Sequence, residues 1–131
     1  MSNIDASLYI IECMYNVNKD MVTSNIIPLI KTIRKNPVAK KTPIIFIEQC
    51  IIDIGSIHNE FINSVIEKND ELNKQVDKAI NKGEKDLFMI KQIGGIDEDS
   101  EATVDGIHFN DLGFERYADH FLKNIKELDI L

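Results

Sequence analysis

The 131 residues are 44% hydrophobic and 28% charged, enough for one compact domain with a single core and too few for two. With 22 Asp plus Glu against 15 Lys plus Arg, the formal net charge is −7, the wrong sign for a surface that tracks nucleic-acid phosphates or an anionic membrane. Six Gly and three Pro, with no compositionally monotonous stretch, also exclude collagen-like, disordered and low-complexity chains.

The N-terminus, Met1-Ser2-Asn3-Ile4-Asp5, lacks a basic segment followed by an apolar one, so the chain as given is expected to be cytoplasmic. Its longest apolar runs, Leu8-Tyr9-Ile10-Ile11 and Ile44-Ile45-Phe46-Ile47, fall far short of the roughly 18 residues of a membrane span. Cys13 and Cys50 are too few for a disulfide scaffold and read as reduced, partly buried thiols.

Leu8 to Cys13 is a short β-branched and aromatic run, which predicts a strand. The stretch to Lys35 then carries Met21, Val22, Ile26, Ile27, Leu29, Ile30 and Ile33 at helical spacing, and Pro37 closes it. Ile44 to Glu48, opened by Pro43, predicts a second strand whose unbroken apolar character suits a parallel sheet with helices on both faces. An irregular segment, about Asp53 to Ser56, leads to a helix from about Glu60 to Lys82, with Gly83 as its C-cap. Leu87 to Ile90 is a third strand, and Gly94 to Gly106 a polar loop. Leu112 to Leu128 is a final helix with Phe114, Tyr117, Ala118, Phe121, Leu122, Ile125 and Leu128 on one buried stripe. Asn110 is its expected N-cap, and Phe109 with Phe114 a hydrophobic staple across the cap.

The order βαβαβα predicts a three-layer α/β/α sandwich with right-handed crossovers and ligands beyond the carboxyl ends of the strands. Those ends are Cys13 to Asn16, Glu48 to Ser56 and Gly94 to His108. In the last, Asp105-Gly106-Ile107-His108 puts a carboxylate where it can accept the Nδ1 proton of an imidazole and leave Nε2 as a base. By spacing alone the signal is weak, and an Asx-type turn feeding the helix is the more frequent explanation of such a pair.

The segment Val104-Asp105-Gly106-Ile107-His108-Phe109-Asn110-Asp111-Leu112-Gly113-Phe114-Glu115-Arg116-Tyr117-Ala118 resembles the last motif block of the SGNH, or GDSL-type, hydrolases. Asp5 to Asn16, ending Cys13-Met14-Tyr15-Asn16, resembles that family's Asn-bearing third block, and Thr42 to Glu48 its next strand. The resemblance implies a flavodoxin-like SGNH fold and a serine ester hydrolase acting on carboxylic esters, acetyl esters of carbohydrates included, with neither cofactor nor metal. In that reading His108 is the general base, Asp105 orients it, and Asn16 donates its side-chain amide to the oxyanion.

The family's nucleophile block, Gly-Asp-Ser or Gly-Thr-Ser, and its Gly block both precede the Asn-bearing strand. Only Met1–Ser7 stands before it here, where a strand-loop-helix-strand unit needs on the order of 40 residues. The expectation is therefore a single, partial SGNH domain over residues 1–131, with a truncated parallel sheet of about three strands, inactive alone. Gly55-Ser56-Ile57 echoes the serine block but follows no strong strand. Ser2 and Ser7 lack a glycine-lined turn, and Ser100 sits in an acidic loop.

His58 reads as a first-turn polar residue bordering the site, and His120 as solvated. Asp97-Glu98-Asp99-Ser100-Glu101 reads as solvated loop, because an EF-hand register would place Ala102 where Gly is required and His108 where Glu is required. No glycine-rich nucleotide motif follows a strand. Loss of the family's first strand would leave residues 8–13 as an exposed edge, open to self-association or to pairing with an amino-terminal fragment. Two further readings stand beside the ester hydrolase: a non-catalytic α/β binding or interaction module, and one half of a split hydrolase.

Overall fold

A computed structural model describes residues 4–50, 59–92, 94–96 and 99–130. Its elements run β1 (Tyr9–Ile11), α1 (Lys19–Arg34), β2 (Ile44–Ile47), α2 (Asn59–Asn81), β3 (Leu87–Ile90) and α3 (Asp111–Leu128), with short 3₁₀ turns at Met14–Asn16 and Val38–Lys40. The three strands form one parallel sheet in the order β1-β2-β3. Tyr9 stands opposite Ile44, which stands opposite Leu87.

Strand alternation divides the core in two. Tyr9, Ile11, Ile44, Phe46 and Leu87 face one way and pack with Val22, Ile26, Ile30 and Ile33 of α1 and Leu72, Val76 and Ala79 of α2. Ile45, Ile47 and Ile90 face the other way and meet Tyr117, Phe121, Ile125 and Leu128 of α3. Both crossover helices share one face because the strand order advances in one direction with one handedness. Each fully buried Ile, among them Ile30, Ile33 and Ile44 on the first face and Ile45 and Ile90 on the second, contributes about 1.5–3 kcal/mol of apolar transfer.

Local signals set the element ends. Asn18 caps α1 by accepting from Met21 N. Pro28 lies inside α1 on its exposed side, where the lost amide donor is least costly, and the helix ends at Arg34, ahead of Pro37. The Arg34 guanidinium donates to the carbonyls of Ala39, Thr42 and Lys85, tying the amino ends of β2 and β3 together. Gly83 follows α2 with φ 98°, a left-handed conformation suited to Gly, and the Gly83 and Glu84 amides turn back to Ile80 O and Ala79 O.

The α3 stripe is only half covered. Ile125 is buried, but Phe114 is 62% and Leu122 51% exposed. The sheet ends at β1, and among the described residues nothing packs over that flank. Ile10, on the same face of β1, is likewise exposed. β1 is an edge strand paired only with β2 among the described residues.

Candidate functional site

The carboxyl ends of β1 and β2 and the loop before α3 converge on one cavity of about 500 Å³. Asn16, Gln49, Lys68 and His108 supply its polar lining, and Tyr15, Phe61, Ile107, Phe109 and Phe114 its apolar lining. Asn16 ends the 3₁₀ turn after β1, whose closure is the Asn16 amide donating to Cys13 O at 3.0 Å.

The segment from 102 to 110 is a closed loop built to present Asp105 and His108. Thr103 pairs antiparallel with Phe109, and Val104 N donates to His108 O at 2.9 Å. Gly106 turns the chain at φ 84°, a conformation costly for any residue with a Cβ. The Asp105 carboxylate does two things at once: Oδ1 accepts from the amides of Ile107 at 3.0 Å and His108 at 2.8 Å, and Oδ2 lies 2.7 Å from His108 Nδ1. These bonds, the His108 amide foremost, hold the carboxyl well below its usual range, at about 2. An ionised carboxylate only accepts, so Nδ1 carries the proton. Nε2 is left with its lone pair and with no partner among the described residues. The Asx turn and the Asp–His pair are therefore one structure, since different oxygens of the same carboxylate serve each.

The helix behind this loop is locked to it. Asn110 accepts from Gly113 N at 2.9 Å and donates to Glu101 O, and Phe109 stacks edge-on against Phe114 at 5.6 Å, completing the expected cap and staple. Gly113 has a second reason to be glycine. A Cβ there would stand 2.0 Å from the Ala102 carbonyl oxygen, which also accepts from Asn110 N.

The support beneath the cavity is a polar clamp not evident from the pattern alone. Asn69 of α2 pairs with the backbone of Gln49 as a third strand residue would, accepting from its N–H at 3.0 Å and donating to its C=O at 2.8 Å. Asn73 donates to Glu48, whose other oxygen accepts from Gln92 N. Lys68 donates to Met14 O at 2.8 Å and to Gln49 Oε1 at 2.7 Å. The available signal was Lys68 and Asn69 on the apolar stripe of α2, between Val65 and Leu72.

Two expectations change. His120 is not simply solvated: its Nε2 lies 2.7 Å from Lys91 O. Asp99 is not a free loop carboxylate either, since Arg116 grips it with two bonds of 2.7 Å and, as the largest influence, lowers it to about 2. Cys13 and Cys50 are both free thiols, and burial pushes Cys50 up to about 12, away from thiolate chemistry. No serine among the described residues lines the cavity. Ser2, Ser56, His58, Asp97 and Glu98 lie outside the described residues, as does the whole irregular segment from Asp53 to Ser56 before α2, Gly55 and Ile57 with it. Among the described residues no three His, Cys, Asp or Glu side chains form a metal-holding group, and no helix is long and apolar enough to cross a membrane.

A second, apolar cavity of about 380 Å³ continues from the first along β1, between Ile10, Glu12, Ile47, Tyr117 and Phe121, sharing Tyr15, Phe109 and Phe114 as a common wall. Burial raises the Glu12 carboxyl there.

No curated protein matches the chain. Among solved structures it is similar to a protein from Bacteroides ovatus described as a GDSL-like lipase, at 31% identity and a TM-score of 0.89 over 96% of this chain and 37% of that one. It shares its fold with the salicylyl-acyltransferase SsfX3 of a tetracycline biosynthetic pathway, at 14% identity and a TM-score of 0.76 over 99% of this chain and 40% of that one. The chain thus spans about two fifths of the length of these structures. The family model of the GDSL-like lipase/acylhydrolases matches residues 1–126, and on that match the chain belongs to the GDSL-like lipase/acylhydrolase family.

Proposed function

We propose that the chain is the base-bearing part of a serine ester hydrolase domain, with His108 as general base, Asp105 as its orienting partner and Asn16 as an oxyanion donor, and that the nucleophile lies outside these 131 residues. The observation carrying this reading is the 2.7 Å contact between His108 Nδ1 and Asp105 Oδ2, at the rim of a cavity that Asn16 also lines. In the reaction, His108 Nε2 takes the proton of a serine hydroxyl as its oxygen attacks the ester carbonyl carbon. The Asn16 amide N–H meets the oxyanion, and His108 returns the proton to the departing alcohol. Asp105 holds the imidazolium by a bond already formed before reaction. Water then attacks the acyl-serine by the same proton route, releasing the acid. Carboxylic esters, including acetyl esters of carbohydrates, are the substrate class that family membership favours.

The missing partner is a strand that pairs with the free edge of β1 and brings a Gly-Asp-Ser or Gly-Thr-Ser turn to the cavity. The half-covered α3 stripe and the apolar groove beside Ile10 support that placement, because a strand with its following helix would cover both. The test is p-nitrophenyl acetate hydrolysis by the chain co-expressed with an amino-terminal segment carrying such a block. The expected result is turnover in the complex that is lost in His108→Ala and reduced about 10²–10³-fold in Asn16→Ala. Turnover indifferent to His108, or a stable complex without turnover, would count against the assignment and favour a binding module.

A further inference from the structure

Lys68 is a buried cation that the proton route above does not use. It is 8% exposed, on the apolar stripe of α2, and lines the same cavity as Asn16 and His108. Its two acceptors, Met14 O and Gln49 Oε1, are neutral, and no carboxylate pairs with it among the described residues. Glu71, one turn along α2, is committed to Gln75, Thr23 and Lys74. An ammonium has three N–H donors, so one remains over. Burial pulls the group below the usual lysine range, while two oxygens on Nζ favour its charged form. A leucine would fill this stripe position without the desolvation cost of an unpaired charge.

We infer that this wall of the cavity is an anion subsite, in which Lys68 Nζ takes the carboxylate of a small acid whose apolar body lies against Phe61, Phe109 and Phe114. The inference goes beyond the hydrolase reading and needs no nucleophile. The ligand class follows from the lining: among the described residues one lysine ammonium, in a wall that is otherwise aromatic, aliphatic, amide or imidazole, selects an amphiphilic anion over a polyol or a cation.

The test is an NMR titration of the 131-residue chain with sodium phenylacetate, beside the neutral isostere phenylacetamide and sodium chloride at equal ionic strength. The expected result is saturable shifts at Lys68 Cε and the Asn16 side-chain amide with phenylacetate. Binding should be at least about tenfold weaker for the amide, at least about tenfold weaker in Lys68→Met, and retained in Lys68→Arg. Equal binding of acid and amide, undiminished binding in Lys68→Met, or no saturable shift with phenylacetate would overturn it. Should Lys68→Met fail to fold, the wild-type chain decides: bound carboxylate must raise the Lys68 titration midpoint, and an unmoved midpoint overturns the subsite. The outcome is independent of turnover. Carboxylate binding with an inert serine-complemented complex would retire the hydrolase reading alone, and turnover without carboxylate binding would retire the subsite alone.

Discussion

At the scale of single residues, the division of labour within the Asp105 carboxylate decides what His108 can do. Oδ1 is occupied by the Ile107 and His108 amides and Oδ2 by Nδ1. In Asp105→Asn the side-chain oxygen keeps the two amides and the NH₂ takes the place of Oδ2. It then donates to Nδ1, which pushes the ring proton onto Nε2. Ring ¹⁵N NMR should report neutral His108 protonated at Nδ1 in the wild type and at Nε2 in Asp105→Asn; an unchanged tautomer would contradict this account. In a serine-complemented enzyme the same change should lower kcat by about 10³–10⁴-fold. The carboxyl also has a pH signature. Its folded-state value, about 2, lies below the roughly 3.9 of a free Asp. Its contribution to stability is therefore present above about pH 4 and is lost as the pH falls toward 2. A ¹³Cγ titration of Asp105 should show a midpoint near 2, and a midpoint near 4 would mean that the turn does not hold it.

At the scale of elements, the parts read correctly from the residues are those whose cause is local. Asn110 and the Phe109–Phe114 pair specify the start of α3 within five positions, and Gly83 specifies the end of α2 by its backbone conformation. The strands Ile44–Ile47 and Leu87–Ile90 follow from unbroken apolar runs between turn residues. The clamp of Lys68, Asn69 and Asn73 on Gln49 and Glu48 needed the helix and the strand ends brought together, since its partners are about 20 or more residues apart. The Arg116–Asp99 grip was hidden for the same reason, and the exposure of Phe114 and Leu122 because helical periodicity marks an apolar side without saying what covers it. Asp105 and His108 stood out through the resemblance of residues 104–118 to a family motif block rather than through their spacing, whereas Gly113 as a packing requirement did not. Gly113→Ala forces a Cβ into the Ala102 carbonyl, and backbone cannot swing aside as a side chain can. Denaturant unfolding should show a loss of about 1–3 kcal/mol, with weakened protection of the His108 and Asn110 amides. A neutral effect would mean that α3 does not dock as described.

At the scale of the whole molecule, the described residues give three strands with two helices on one face and one on the other, and leave β1 as the edge of a parallel sheet. Open backbone at that edge, Ile10 above it and the apolar groove bounded by Phe114 and Phe121 make one continuous surface. An unprotected edge of this kind seeks a strand. Sedimentation of the isolated chain should show concentration-dependent association, and Ile10→Lys should reduce it by placing a charge on the apolar face. A chain that stays monomeric at high concentration would argue that the edge is not a pairing surface. The proposed dependence of His108 and Asp105 on a nucleophile supplied from outside these 131 residues is tested by a serine-reactive phosphonate read by intact-protein mass spectrometry. The 131-residue chain should remain unlabelled alone, and one adduct should appear on the added serine segment when the two are combined, dependent on His108. A His108-dependent adduct on a serine of the chain by itself would contradict the account and place the nucleophile within these residues.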